Sequence, residues 1–237
     1  MADVHRPALD ERDVHHLLHV LRLRPGQLVS VADGTGRWRV CALVSPRPEG
    51  RPASATLESV ADVVDEPEPG PALTVAFAPT KGERPEWALA KLTELGVDRV
   101  IPLVAARSVV RWDDRRSERR HQRWTEIARQ AAMQSRRVRL PVIERPAPVA
   151  EVAAAAGVSA VLAVPGGDPP TLDRPTVLIG PEGGWSPDEE RAVAATVGLG
   201  PGVLRTETAT VAVASLYMAL RAALVVKGPG GEGGGAP

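Results

Sequence analysis

Beyond residue 71 the chain alternates short apolar runs with segments of helical periodicity, and few architectures accept that alternation other than βαβ units around a mostly parallel sheet. Strands are predicted over 73–78, 100–104, 160–164 and 176–179. Between them, Ala88, Leu89, Leu92 and Leu95 share one face of a helix over 85–95, with Pro85 in its first turn and Gly96 at its end. Trp124, Ile127, Ala128 and Ala131 do the same over 117–135, where arginines crowd the other positions. A shorter helix over 149–156 closes at Gly157, and an apolar helix occupies 211–226. Val213, Leu216, Leu220 and Leu224 line one side of the latter while alanines fill others, so it is read as buried in the core or against a second subunit.

The residues before this point have another rhythm. Val14, Leu17, Leu18 and Leu21 define a helix over 11–21, stopped by Arg24-Pro25-Gly26. Segments 27–32 and 37–44 flank Asp33-Gly34-Thr35-Gly36 and read as a hairpin, with a third strand over 55–64. A small antiparallel unit is therefore expected over 1–68, followed by a proline-rich, semi-rigid linker over 65–71 and a second domain over 72–227. The last segment, 228–237, is almost all Gly, Pro and Ala and is expected to be a disordered tail. A length of 237 residues accommodates two such domains.

Charge excludes a global field toward polyanions, because Lys+Arg 29 and Asp+Glu 29 cancel. The distribution is uneven. Arg107, Arg111, Arg115, Arg116, Arg119, Arg120 and Arg123, continued by Arg136, Arg137 and Arg139, oppose an acidic run over 62–68, which favours one RNA-facing side. With 3% aromatic residues, base stacking has few platforms and contacts would lean on arginine. A single cysteine, Cys41, forbids an internal disulfide, and the N-terminus lacks a signal-peptide pattern, so a cytoplasmic protein is expected. The apolar stretch 152–164 is too short to span a membrane. His15 and His19 have helical spacing but no evident third ligand, so no metal site is expected. Cys41 reads as a small core residue.

Two stretches carry the candidate chemistry. In the first, an apolar strand that includes Leu178 and Ile179 runs into Gly180-Pro181-Glu182-Gly183-Gly184, and Ser186 with Glu189 forms a capping box with Pro187 at the first helical position. Such turns are where parallel sheets hold ligands. Dinucleotide and P-loop spacings are absent, and the Glu182 carboxylate would repel a phosphate while suiting ribose hydroxyls or a cationic ligand. That argues against a nucleotide-binding hydrolase. In the second stretch, after Leu199 and Leu204, the polar groups Arg205, Thr206, Glu207 and Thr208 lie between a short strand and the apolar helix that begins with Ala209. Thr206 or Thr208 is the expected helix cap.

With Lys81-Gly82-Glu83-Arg84, Lys91 to Val97, the Ala131 to Arg137 block and His16 to Arg22, these stretches recur in one order, and the chain resembles the ribosomal RNA small subunit methyltransferase E family of the SPOUT superfamily. The resemblance implies a PUA-like RNA-binding β-barrel over 1–68 and an α/β SPOUT methyltransferase domain with a C-terminal trefoil knot over 72–227. It further implies a homodimer that methylates uridine N3 in 16S ribosomal RNA of the small ribosomal subunit with S-adenosyl-L-methionine. Carried over, the cofactor pocket comprises Leu178, Ile179, Gly180, Glu182, Gly183, Gly184, Leu199, Leu204, Arg205, Thr206, Thr208 and Ala209. Arg205, Glu207 and Arg137 are the catalytic candidates. Arg22, Lys81, Arg84, Arg107, Arg111, Arg136 and Arg137 are the RNA candidates. Uridine N3 must lose its proton on methylation, which calls for a base or a stabilising cation. Glu207 and Arg205 are candidates for those roles. Ribose 2′-O methylation of tRNA and a non-catalytic assembly factor are the alternatives. The chain departs from the family at Gly202, in place of an arginine, at Arg136, in place of a glycine, and at Met133, often a glutamate. Arg136 is expected to replace the charge missing at Gly202.

Overall fold

The computed structural model describes residues 3–44, 55–110 and 114–225, in two compact units. The first unit contains Met1–Glu68 and also Arg136–Leu140, a piece of the chain expected within the second domain. Its opening helix α1 (Glu11–His15) starts at Asp10, whose carboxylate accepts from the Asp13 N–H, and widens into a π-turn over His16–Val20. The hairpin pairs β1 (Leu28–Ala32) antiparallel with β2 (Arg37–Val44), Val29 opposite Cys41, and Cys41 is buried. The predicted third strand is split: β3 (Thr56–Ser59) pairs with one end of β2 and β4 (Val64–Asp65) with the other.

The hairpin turn is fixed by Asp33, which accepts from Thr35 N at 2.7 Å and from Arg37 Nε at 2.8 Å. Arg139 bridges to Gly34 and Thr35, and Leu140 N donates to Gly34 O at 2.9 Å, so the turn is also a sheet edge for Arg136–Leu140. Gly36, at φ 110, leaves the space that the Arg139 guanidinium fills. The expected linker is shorter than the composition suggests. Glu66 N donates to Gly36 O at 3.0 Å and Trp38 Nε1 donates to Glu66 Oε1 at 3.0 Å, which keeps that residue in the first unit.

The second unit contains Pro69–Ser135 and Pro141–Pro237. In chain order its elements are β5 (Thr74–Phe77), α2 (Arg84–Leu95), β6 (Arg99–Val104), α3 (Asp114–Ser135), β7 (Val142–Ile143), β8 (Ala147–Pro148), α4 (Val149–Ala156), β9 (Ala160–Ala163), β10 (Thr176–Ile179), α5 (Pro187–Ala192), β11 (Thr196–Val197) and α6 (Thr206–Arg221). The pairings are parallel, in the order β11-β9-β10-β5-β6-β7, with β8 also on β6. The short strands β7, β8 and β11 are too brief to leave a periodic signal.

Period-two alternation divides the core. Val75, Phe77, Val177 and Ile179 face one layer with Leu89, Leu92, Trp124, Val213 and Tyr217 of α2, α3 and α6. Ala76, Ala78 and Leu178 face the other with Val149, Val152, Trp185 and Val193. Phe77 stacks on Trp124 with ring centroids 5.6 Å apart. Gly96 ends α2 at φ 102, a left-handed conformation that glycine adopts without steric cost. The sheet grows from β5 in both directions, toward β6 on one side and β10 on the other. The C-terminal ends of β5 and β10 are thus adjacent at a switch point, where open α/β sheets hold ligands.

Candidate active site

At that switch point β10 ends and the glycine turn begins. A Cβ on Gly180 would lie 3.0 Å from the Trp185 ring, so any side chain there would have to push the indole aside. Gly184, at φ 72, donates its N–H to Pro181 O at 2.9 Å and closes the turn. The expected capping box is present: Glu189 N donates to Ser186 Oγ, and Ser186 N donates to Glu189 Oε2 at 2.8 Å. Its other oxygen does something the sequence did not reveal. Glu189 Oε1 accepts from Ala106 N at 2.8 Å, and next to it Arg107 Nη1 donates to Gly183 O at 2.9 Å. The loop after β6 is therefore clasped to the glycine turn. Leu178 and Ile179 are buried strand residues whose side chains belong to the core.

The second stretch lies beside the first. No strand forms over 199–205; pairing stops at Val197, where two backbones pass closely. A Cβ on Gly167 would lie 2.5 Å from the Val197 carbonyl carbon, and Gly198 N donates to Asp168 O at 2.8 Å. From there Leu199 is half-buried against the core, while Val203 and Leu204 remain exposed at 87% and 37%. Neither threonine caps α6. Arg205 is the N-cap residue without a side-chain cap bond, Thr208 is exposed, and buried Thr206 donates its hydroxyl to Gly180 O at 3.1 Å. That bond satisfies a loop carbonyl and ties the two candidate stretches together. Ala209 is buried in the core below.

Glu207 follows on the first turn of α6. Its Oε1 lies 3.4 Å from Arg84 Nη1, and its Oε2 is buried without a hydrogen-bond partner. Arg84 and Lys81, from the segment after β5, share with Thr80, Glu83, Val109 and Glu182 the lining of an open cleft of about 450 Å³. Arg205 is exposed nearby in sequence. The arrangement joins three carboxylates, Glu83, Glu182 and Glu207, two cations and a loop poor in side chains at the end of the sheet.

The remaining RNA candidates are distributed differently. Arg22 and Arg136 are exposed and adopt left-handed backbones, φ 53 and φ 58. Arg137 is half-buried, Arg107 is exposed while serving the glycine turn, and Arg111 lies outside the described residues, as does the expected tail. One arginine of the basic face of α3 is neutralised, Arg123 by Glu86, whereas Glu118 of the same helix pairs with Arg145, whose hydrogen bond holds its carboxyl below the ordinary range. The His15 and His19 rings lie 5.0 Å apart and are tilted by 33°, and among the described residues no group of three or more His, Cys, Asp or Glu is placed to hold a metal ion. No described helix is long and apolar enough to cross a membrane.

Comparison with known proteins places this geometry. Residues 66–218 match the family profile described as RNA methyltransferase domain, and residues 9–50 match that described as RNA methyltransferase PUA domain. The chain is 35% identical over 222 residues to the ribosomal RNA small subunit methyltransferase E of Mycobacterium bovis, covering 85% of this chain and 81% of that one. Among solved structures, a probable rRNA-methyltransferase from Porphyromonas gingivalis superposes with a TM-score of 0.76 at 28% identity, covering 92% of this chain and 94% of that one. The ribosomal RNA small subunit methyltransferase E from Neisseria gonorrhoeae, bound to S-adenosyl methionine, superposes with a TM-score of 0.73 at 26% identity, covering 90% of each chain. Likeness of this extent in both units, in sequence and in backbone, makes the chain a member of the ribosomal RNA small subunit methyltransferase E family.

Proposed function

We propose that this protein methylates N3 of a uridine in the 16S RNA of the small ribosomal subunit, using S-adenosyl-L-methionine. The observation that carries the reading is the Thr206 to Gly180 hydrogen bond, which joins the glycine turn and the Arg205–Thr208 stretch into one site at the switch point. The residues there suit the cofactor. Gly180, Gly183, Gly184 and Gly202 offer backbone without side chains, exposed Val203 and Leu204 provide apolar cover for a purine, and the Glu182 carboxylate suits ribose hydroxyls. Gly180, Glu182, Gly183 and Gly184 with Leu199 and Leu204 to Ala209 would hold it, Leu178 and Ile179 contributing backbone only. When bound, it supplies an electrophilic methyl group on a positively charged sulfur that leaves as a neutral thioether.

The chain's own part is to orient the base and accept its proton. Glu207 is the proton acceptor in this reading, Arg205 the cation that steadies developing negative charge, and Arg137 an RNA-orienting residue. Arg22, Lys81, Arg84, Arg107, Arg111 and Arg136 supply further contacts to the RNA, largely to phosphates. Exposed Leu216, Leu224 and Val225 on and after α6 leave an apolar face that supports a homodimer. The trefoil knot, the division into a 1–68 RNA-binding domain and a 72–227 catalytic domain, and a cytoplasmic location belong to the same reading. No metal takes part in it.

Nucleoside mass spectrometry of 16S RNA tests it. Cells lacking the protein are expected to lose 3-methyluridine, and purified protein with S-adenosyl-L-methionine and small subunits is expected to restore it. Unchanged 3-methyluridine together with intact cofactor binding would move the target to another site, such as a ribose 2′-oxygen, or leave a binding role alone.

A further inference from the structure

The two oxygens of Glu207 are in different states: Oε1 faces Arg84 Nη1 at 3.4 Å, whereas Oε2 is buried with no partner. A carboxylate oxygen removed from water is unfavourable unless a donor reaches it, and among the described residues none does. The Arg84 side chain is 53% exposed, so one guanidinium both holds Glu207 and, with Lys81, lines the cleft at the switch point. Arg84 was expected to bind RNA; its pairing with Glu207 gives it a second task.

We propose that Arg84 is a positioning and specificity-determining residue, which holds Glu207 through Oε1 and so presents its carboxylate to the ring N–H of the target pyrimidine. The inference rests on the uridine N3 reading above. The edge of uracil runs carbonyl, N–H, carbonyl, which is acceptor, donor, acceptor. Arg84 and Glu207 set a donor beside an acceptor. Cytosine would instead turn a ring-nitrogen lone pair toward the carboxylate, and a site built for a donor rejects a base that lacks it. In the reaction the N3 proton passes to the Glu207 carboxylate and is released to solvent when the product leaves. The electron pair left on N3 forms the bond to the methyl carbon, and the carbon–sulfur pair returns to sulfur.

The test measures methyl transfer to small subunits lacking the modification, for the wild type, Arg84→Met, Arg84→Lys, Glu207→Gln and the Arg84→Met/Glu207→Gln double variant, with cofactor affinity by calorimetry. Arg84→Met is expected to lower kcat about 100-fold, the scale of an acid–base contribution, while the cofactor Kd stays within about threefold. Arg84→Lys keeps the charge and is expected to recover about tenfold of that loss. The double variant should be no slower than Glu207→Gln alone, because Arg84 acts through Glu207. A raised KM with unchanged kcat for Arg84→Met would make Arg84 a phosphate ligand and overturn the proposal. Additive losses in the double variant would overturn it too. A wild type that leaves uridine N3 unmethylated would overturn the underlying reading itself, an outcome visible before any variant is compared.

Discussion

Thr206 Oγ1 and the Gly180 carbonyl oxygen lie 3.1 Å apart, and the threonine is buried. A hydroxyl that could have capped its own helix is spent on a loop from another part of the chain. Thr206→Val keeps the shape and removes the donor, leaving the Gly180 carbonyl unpaired at a cost of roughly 1–2 kcal/mol. The cofactor Kd is expected to rise several-fold by calorimetry, and Thr206→Ser to retain most of the affinity. Unchanged affinity in Thr206→Val would show that the bond does not shape the pocket.

Arg221, with its side chain 7% exposed, makes an ion pair with Asp98 and donates to Gly96 O at 2.7 Å and to Pro71 O at 3.2 Å. Asp98 in turn accepts from Leu73 N at 2.8 Å, so one cluster joins the end of α6 to the start of β5 and the end of α2. Arg221→Met leaves a partly buried carboxylate without its counter-charge and two carbonyls without the donor that reaches them. A loss of about 3 kcal/mol is expected, the low end for breaking a buried pair because Asp98 is not fully enclosed. Urea unfolding measures it, and a loss below about 1 kcal/mol would place the pair among surface ion pairs.

Arg136 occupies the position after α3 at φ 58, a conformation in which a side chain is disfavoured and a glycine is not. Arg136→Gly is therefore expected to stabilise the protein by about 1 kcal/mol in denaturant unfolding. If the exposed guanidinium replaces the charge missing at Gly202, the same variant binds RNA more weakly and its log–log salt slope falls by roughly one. Greater stability with unaltered RNA affinity would remove Arg136 from the RNA contacts.

Asp33 provides a pH dependence. Burial pushes its carboxyl upward, but hydrogen bonds from Thr35 and Arg37 outweigh burial and lower it from 3.8 to about 2. A depressed folded value means that Asp33 contributes stability that is present above pH 3.8 and lost as the pH falls through about 2. Asp33→Asn is expected to be less stable than the wild type at neutral pH. The difference should shrink between pH 4 and pH 2 in thermal melts, and a constant difference across that range would contradict the assignment.

What the sequence determined by itself is local. The strand over 176–179, the glycine turn, the Ser186–Glu189 box and the Gly96 terminus were legible because each is set by backbone preferences and apolar period within a few residues. The family resemblance, carried by the glycine turn together with the 16–22, 81–84, 91–97, 131–137 and 199–209 blocks, supplies the candidate residues, but not which of them touch. Tertiary structure decided that Thr206 reaches Gly180 instead of capping α6, that Glu189 also holds Ala106, and that Arg84 meets Glu207. It also decided that Arg136–Leu140 joins the first unit and that Gly167 and Gly198 pass backbone against backbone. These contacts join positions far apart along the chain, and their partners are selected by strand order and by the need of buried polar groups for hydrogen bonds. Neither condition is written in the spacing of any one segment.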